Sequence, residues 1–314
     1  MIALRALAPA KVNLGLRLGG VRAGDRRHEI VTVMQSISLA DEVTLEPAPS
    51  GAGGDEISCP GVPGAPQDNL AARALACFRA ATGWNQGPLQ LSIAKRIPVA
   101  AGLGGGSADA AATLRLLRRA SGVGDEELMR ALAASLGADV PAQVSPGRWL
   151  ASGAGERLEP LPDPSPPLEL LVLPLAATLA TSAVYAEADR LGLTRTKRAL
   201  ARRRQQLRGA FAHAAPLPAE GALLANDLAL AASSLCPQIA AALEQARGAG
   251  AHEALVSGSG PTIVALFSPR DGSEGARRAA AALADRDPAP IRATSVTAHY
   301  AQPQPLAARS RSRA

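Results

Sequence analysis

The chain has 314 residues, of which 47% are apolar and 19% charged. It is therefore large enough for two ordinary domains and too large for a small disulfide-held scaffold. Lys plus Arg outnumber Asp plus Glu by 33 to 27, but the aromatic content of 2% disfavours the stacking surfaces of single-strand nucleic-acid binders. The three cysteines form no CxxC pair, which argues against a disulfide framework or a zinc site.

The apolar segments do not have the pattern of membrane or secretory segments. The longest uncharged stretch, residues 170–186, contains Pro174 and several hydroxyl side chains, so it is too short and too polar to span a membrane. Lys11 interrupts the apolar N-terminal stretch, and we expect no signal peptide. The sequence predicts a cytoplasmic protein, which we expect to be a monomer or a weak homodimer.

Strands and helices alternate in the predicted N-terminal half. Alternating apolar and polar residues predict strands at 10–18, 30–45 and 89–93. Helical spacing or high helix propensity predicts helices at 69–82, 107–120 and 125–136. Asp125 and Gly137 have the residue types expected at the start and the end of the last of these helices.

A proline cluster divides this half from the next. Five of the eight residues at 160–167 are proline, which indicates a domain boundary. Beyond it, strands are predicted at 168–173, 254–257 and 262–267. Helices are predicted at 183–191, 223–232, 237–246 and 275–284, and a basic helix or loop at 195–209. We therefore predict an α+β chain with domains at 1–160 and 161–300, followed by a disordered Arg-rich tail at 301–314.

The strongest local motif is PVAAGLGGGSADAAA at residues 98–112. Four of the five residues before Ser107 are glycine, and a predicted helix follows directly. Inward-turned amides and a helix N-terminus together favour a phosphate group. The motif is neither a Walker loop nor a Rossmann turn, because it lacks GK[ST] and the third glycine of GxGxxG would fall at Ser107. A flexible turn without a ligand, with Ser107 only capping the helix, stays open.

Three further motifs each admit a structural and a functional interpretation. PAKVNLGL at residues 9–16 places Lys11 and Asn13 on one face of a strand, either as a solvated face or as part of a site. GADVP at residues 137–141 offers Asp139, either as a turn cap or as a general base beside Lys11. SGSGP at residues 257–261 is either a hairpin loop or a second glycine turn at the site.

In this order and spacing, the four motifs resemble those of the GHMP kinase superfamily over about residues 7–267. The resemblance implies a domain like ribosomal protein S5 domain 2, then a ferredoxin-like domain, with the active site between them. It also implies ATP and Mg²⁺ as cofactors and a small alcohol as the phosphate acceptor. Such a reaction needs alignment and charge stabilisation rather than a nucleophilic side chain.

The resemblance also assigns roles to individual residues. The implied catalytic residues are Lys11 and Asp139, with Asp139 as the base. The residues implied to bind ATP are Lys95, Pro98, Ala101, Gly102, Leu103, Gly104, Gly105, Gly106 and Ser107, with Ser107 also near Mg²⁺. The residues implied to bind the acceptor are Asn13, His28, Tyr185, Gly258, Ser259 and Gly260.

Four features indicate which acceptor is bound: PAKVNLGL at 9–16, RAGDRRHEI at 22–30 with the segment 31–47 after it, LGADVP at 136–141 with the segment 151–161, and ATSAVYAEAD at 180–189 with LLANDLALAA at 223–232. Within the superfamily they resemble members that phosphorylate the 2-hydroxyl of a cytidine diphosphate-linked methylerythritol, an intermediate of the non-mevalonate isoprenoid pathway. Arg27 stands where those members usually have tyrosine, so homoserine, mevalonate or a sugar-like alcohol stays open as the acceptor.

Two other classes of function are less compatible with the sequence. A non-catalytic ATP or metabolite sensor on the same fold would have no chemical need for both Lys11 and Asp139. A nucleic-acid role for the basic stretch 194–208 would require binding that falls steeply with salt. We expect a small-molecule substrate, with no nucleic-acid or membrane partner.

Overall fold

Two β-sheets organise the protein, whose computed structural model describes residues 2–306. The strands, in chain order, are β1 (Leu4–Val21), β2 (His28–Pro47), β3 (Glu56–Ser58), β4 (Leu89–Ala94), β5 (Arg148–Gly153), β6 (Arg157–Leu161), β7 (Glu169–Leu173), β8 (Glu253–Val256), β9 (Ile263–Leu266), β10 (Ile291–Thr294) and β11 (Gln304–Pro305). Strands β1–β6 and β11 form the first sheet, and β10-β7-β9-β8 form an antiparallel second sheet in that order.

The helices cover these sheets and begin where local sequence signals favour them. In chain order they are α1 (Leu70–Thr82), α2 (Gly105–Ser121), α3 (Glu126–Leu136), α4 (Val140–Val144), α5 (Thr181–Arg190), α6 (Lys197–Ala210), α7 (Ala229–Leu235), α8 (Gln238–Gly248) and α9 (Gly272–Ala282). Helix α2 lies against β1 and β2, and its buried alanines let the helix backbone approach the sheet closely. The N-terminus of α2 thereby comes next to the middle of β1.

Strand β1 changes register where the second domain contacts it. The pairing of β1 with β2 is irregular between Asn13 and Leu16, and Gly15 has a φ of +83°. A Cβ at Gly15 would lie 2.3 Å from the carbonyl oxygen of Leu223. Glycine is required here because a side chain would combine a disfavoured backbone conformation with a clash against rigid backbone.

The apolar core is continuous across the two sheets. Leu168, Leu170 and Val172 of the second domain share one cluster with the β1, β2 and α2 side chains. In return, Leu16 and Leu18 of β1 enter the cluster formed by α5, α7 and α8. Apolar packing therefore fixes the position of one domain relative to the other. The same packing maintains the shape of the cleft between them.

The predicted α+β class is confirmed, and most of the predicted elements are present. The helix predicted at 223–232 is wrong in its first half, which forms a 3₁₀ turn (Gly221–Leu224) and an irregular segment through Asn226 and Asp227. Their side chains instead accept hydrogen bonds from the backbone N–H groups of Leu228 and Leu18. Helix α2 also begins two residues earlier than predicted, with Gly104 rather than Ser107 at the cap.

The C-terminal prediction is wrong for the residues that the structure describes. Gln304 and Pro305 pair with β1 as an edge strand, and the N–H of Leu306 donates to the carbonyl oxygen of Ala3. The rest of the predicted tail, 307–314, lies outside the described residues. The predicted boundary at residue 160 falls within β6, one residue before that strand ends.

Candidate active site

A cavity of about 1310 Å³ lies between the two domains. Its volume exceeds the roughly 300–1,000 Å³ of a pocket for one small ligand, so two substrates can be accommodated together. The structure brings every residue predicted for the site to the lining of this cavity. The four motifs that are far apart in the sequence therefore face one space.

The glycine loop forms the wall of the cavity at the start of α2. Gly102 and Gly104 have φ angles of +73° and +69°, and a Cβ on Gly104 would lie 3.0 Å from Cγ of Lys11. The intrahelical bonds of α2 begin with the N–H of Ala108, which donates to the carbonyl oxygen of Gly104 at 2.9 Å. The amides of the first turn, Gly105, Gly106 and Ser107, are thus available to an anion, whose charge the helix dipole favours.

Lys11 is the buried cation of the cavity. Its Nζ donates to Asn13 Oδ1 at 2.8 Å and lies 3.4 Å from Asp139 Oδ2. Asn13 in turn donates to Thr32 Oγ1 at 2.9 Å, and the Thr32 hydroxyl donates to the carbonyl oxygen of Gly15 at 2.8 Å. The face of β1 that carries Lys11 and Asn13 is therefore buried rather than solvated, and a relay of hydrogen bonds orients the ammonium.

Asp139 immediately precedes α4, with its side chain 31% exposed. Its side chain makes no hydrogen bond that caps this helix, so the turn-cap interpretation of Asp139 does not describe the structure. The carboxylate lines the cavity beside the Lys11 ammonium. It is thus placed where a bound hydroxyl can reach it.

Lys95, which the resemblance implies to bind ATP, forms ion pairs with two carboxylates of the protein. Its Nζ donates to Asp41 Oδ2 and, at 2.8 Å, to Asp109 Oδ2, and both carboxylates are almost fully buried. Burial opposes the charge on Lys95, but the two carboxylates prevail and raise its pKa. Lys95 lines the cavity, yet its ammonium is already paired twice within the protein.

Asp109 is the unusual acid of this cluster. Its Oδ1 is buried without a hydrogen-bond partner among the described residues. Burial raises its pKa to about 7, with the charge of the nearby Asp41 acting in the same direction and the attraction of Lys95 opposing it. Asp109 is therefore a buried acid at the wall of the cavity that releases its proton near neutral pH.

Asp109→Asn is expected to make stability less dependent on pH. From about pH 4 to about pH 7 the native state keeps a proton that the unfolded chain has released, so wild type loses stability as the pH rises through this window. Asparagine does not titrate in this range. The free energy of unfolding of the variant, minus that of wild type, should therefore be larger at pH 8 than at pH 5. Urea unfolding at both pH values measures this, and an equal difference at both would contradict the raised pKa.

An aromatic and acidic group forms the opposite wall. The rings of His28 and Tyr185 lie 5.0 Å apart at 45°, and His28 Nε2 is 2.8 Å from Asp189 Oδ1. Burial, and then the charge of Asp139, raise the pKa of Tyr185 to about 12, so its phenol is neutral at physiological pH. Arg27, which also lines the cavity, directs Nη2 to the carbonyl oxygen of Ala154 at 3.3 Å. This wall offers ring faces and a cation.

The SGSGP turn of the second domain closes the cavity against the glycine loop. Ser257 Oγ donates to the carbonyl oxygen of Gly102 at 3.3 Å, and the Ser259 and Thr181 hydroxyls are 3.1 Å apart. A Cβ on Gly258 would lie 3.3 Å from Asn13 Oδ1 and 3.5 Å from Lys11 Nζ. The turn thus rests directly on the two polar residues of β1.

Several residues around the cavity were not found by sequence reasoning: Thr32, Asp41, Asp109, Asp189 and Asn226. Each is a polar residue inside or beside an apolar segment, and that position was the one sequence feature that could have marked it as a site residue. Their partners are far away in sequence, as the separation of 54 positions between Asp41 and Lys95 illustrates. Only the fold identifies which isolated polar residue has a buried partner.

Two kinds of feature are missing from residues 2–306. No helix in this range has the length and apolar character needed to cross a bilayer. The same residues contain no cluster of three or more His, Cys, Asp or Glu side chains suited to a metal ion.

Comparison with known proteins agrees with this arrangement. Residues 69–147 match the GHMP kinases N terminal domain, and residues 204–285 match the GHMP kinases C terminal domain. A 4-diphosphocytidyl-2-C-methyl-D-erythritol kinase of Anaeromyxobacter dehalogenans is 42% identical over 87% of this chain and 83% of its own. An enzyme of the same name from another Anaeromyxobacter species is 40% identical over 94% of this chain and 93% of its own.

A solved structure gives the same result in three dimensions. The crystal structure of a 4-(cytidine 5'-diphospho)-2C-methyl-D-erythritol kinase superposes with a TM-score of 0.73 at 32% identity. The match covers 93% of this chain and 98% of the other. The predicted two-domain fold is thus confirmed, and because both domains and relatives of this identity match over most of its length, the chain belongs to the GHMP kinase family.

Proposed function

We propose that this protein transfers the γ-phosphoryl group of ATP to the 2-hydroxyl of 4-diphosphocytidyl-2-C-methyl-D-erythritol. The observation that carries the proposal is the Lys11–Asp139 pair, 3.4 Å apart, between the glycine loop and the His28–Tyr185 wall. The relatives at about 40% identity carry the name of this activity. We place the reaction in the cytoplasm, which the three free cysteines support; a monomer or weak homodimer stays a prediction.

ATP is bound with its phosphates at the glycine loop. The amides of Gly105, Gly106 and Ser107 at the N-terminus of α2 receive the anionic oxygens. Pro98, Ala101, Gly102, Leu103 and Gly104 shape the loop, and we assign Lys95, which also lines the cavity, to the part of the site that binds the adenosine. The charge of Lys95 is neutralised by Asp41 and Asp109. Lys95 therefore contributes to this part of the site through the packing of its aliphatic side chain more than through a free positive charge.

Asp139 acts as the general base. It accepts the proton of the acceptor hydroxyl as the oxygen attacks the γ-phosphorus atom, and ADP leaves with the cleaved bond's electron pair. Lys11 donates to the negative oxygens that gain charge during transfer, while Asn13 keeps its Nζ in place. Asn13 retains a second amide hydrogen with which to hold the acceptor.

Mg²⁺ fits this donor set as a companion of the ATP phosphates. Ser107 lines the cavity and offers a hydroxyl, and a hard oxygen ligand of this kind suits the ion. When bound, Mg²⁺ neutralises phosphate charge. Lys11 and the α2 amides supply the protein's share of that neutralisation.

The acceptor's cytidine is held by the opposite wall. The His28 and Tyr185 rings give apolar faces for a base, and Asp189 fixes the orientation of the imidazole through Nε2. Arg27 supplies a planar cation that can stack on a base. Gly258, Ser259 and Gly260 close the site from the second domain, next to the methylerythritol part.

Release of ADP from ATP and Mg²⁺ tests the proposal with three acceptors: diphosphocytidyl-methylerythritol, homoserine and mevalonate. We expect turnover with the cytidyl acceptor alone. His28→Ala should raise KM for that acceptor by about tenfold, because a base–aromatic stack is worth about 1–3 kcal/mol, and leave KM for ATP unchanged. His213→Ala, at an exposed position outside the cavity, is the matched control. Turnover with homoserine or mevalonate instead would refute the substrate assignment.

A further inference from the structure

Asn226 is a polar residue outside the cavity whose side chain is fully engaged with backbone. It lies between the 3₁₀ turn Gly221–Leu224 and α7. Its Nδ2 donates to the carbonyl oxygens of Val256 and Gly258, at 2.9 and 2.7 Å, and its Oδ1 accepts from the N–H of Leu228 at 2.9 Å. One amide therefore fixes three points of the second domain.

The carbonyl that Asn226 holds most closely belongs to the turn at the active site. Gly258 has a φ of +56°, and its Cα faces Asn13 and Lys11, because a Cβ there would lie 3.3 Å from Asn13 Oδ1 and 3.5 Å from Lys11 Nζ. The same Cβ would lie 3.4 Å from the carbonyl oxygen of Gly102. A small rotation of the Gly258 peptide would thus press on the ammonium or open the cavity wall.

The backbone around Asn226 is tied to the strand that carries Lys11. The N–H of Leu16 donates to the carbonyl oxygen of Ala225 at 3.1 Å, and the N–H of Asp227 donates to the carbonyl oxygen of Leu16 at 2.9 Å. The buried Arg17 guanidinium adds hydrogen bonds to the carbonyl oxygens of Ala222 and Leu223. Asn226 is consequently anchored three residues beyond Asn13 on β1 and reaches across to the turn.

We infer that Asn226 is a positioning residue for phosphoryl transfer: it sets the Gly258–Gly260 turn against Lys11 and Asn13 without touching either substrate. The inference rests on the proposed function, because it concerns the geometry of that reaction. Alignment of reacting groups is sensitive to displacements of about 1 Å, which can cost on the order of 10²-fold in rate. A donor aimed at two carbonyl oxygens is the feature that holds this alignment.

Asn226→Asp is the sharpest test. Aspartate has the same shape and still accepts from the Leu228 N–H, but an acceptor oxygen now faces the carbonyls of Val256 and Gly258. We expect kcat to fall by about 10- to 100-fold, with KM for both substrates within threefold of wild type. Asn226→Ser, which keeps one donor and an acceptor, should have an intermediate kcat.

The control is Asn85→Asp, at an exposed surface turn where Asn85 Oδ1 accepts from the Gly87 N–H and from Arg79 Nη1. Aspartate keeps both of those contacts, so kcat should not change. Thermal unfolding must show each variant folded at the assay temperature, and Asn226→Ser provides the measurement if the aspartate variant does not fold.

An unchanged kcat in folded Asn226→Asp, or a loss of rate explained entirely by its unfolded fraction, would overturn the inference. So would a rise of KM with kcat unchanged, since that would mark a role in binding rather than alignment. Wild-type protein that phosphorylates none of the acceptors would instead overturn the proposed function, and the inference with it.

Discussion

Asp139→Asn is expected to lower kcat by about 10²- to 10⁴-fold, which is the usual contribution of a general base. The amide has nearly the same volume as the carboxylate, so the cavity keeps its shape, but it cannot take the proton of the acceptor hydroxyl. The affinity for ATP should change little, because the phosphate-binding amides belong to α2. Steady-state ADP release and calorimetric nucleotide binding measure the two effects separately.

Asp125→Asn is the matched control for this exchange. Asp125 caps α3 by accepting from the Leu128 N–H at 2.8 Å, and asparagine is an equally good cap. Asp125 lies outside the cavity, so kcat should stay within twofold of wild type. If the two variants retained equal activity, the assignment of Asp139 as the base would be wrong.

Gly102→Ala should impair both folding stability and catalysis. The added Cβ would lie 2.5 Å from the carbonyl oxygen of Ser257 and 3.0 Å from that of Gly260, at a φ of +73°. Backbone atoms on both sides cannot swing away, so the glycine loop and the SGSGP turn must separate. We expect a loss of about 1–3 kcal/mol in the free energy of unfolding from overpacking, and a fall in kcat/KM of about 10²-fold from misalignment.

Gly122→Ala is the control that separates the effect of the steric clash at Gly102 from the effect of the left-handed backbone conformation. Gly122 ends α2 with a φ of +70°, but a Cβ there would meet nothing within 4 Å. This variant carries the strain of the left-handed conformation alone and should keep its activity. Denaturant unfolding and ADP release of both variants decide the point: equal losses in the two would mean that the contact between the domains at Gly102 is unimportant.

Local sequence signals predict most of the elements and all four motifs. The alternation of apolar residues predicts β1 and β2, and Asp125 and Gly137 mark both ends of α3, because these signals act between neighbours in the chain. The backbone conformation that a glycine permits is also a local property. The glycines before Ser107 therefore indicated a turn at the start of a helix. Every residue predicted for the site lines the cavity, although its individual role stays a proposal.

Contacts between distant segments resolve the alternatives that the local signals leave open. The sequence allowed the face of β1 that carries Lys11 and Asn13 to be solvated. That face is buried because α2 and the SGSGP turn pack over β1. The helix predicted through Asn226 fails because the Asn226 and Asp227 side chains bind backbone from distant segments. Lys95 is neutralised by Asp41, which lies 54 residues away. Hydrogen bonds and charges act through space, so their partners are fixed only when the two domains have packed together.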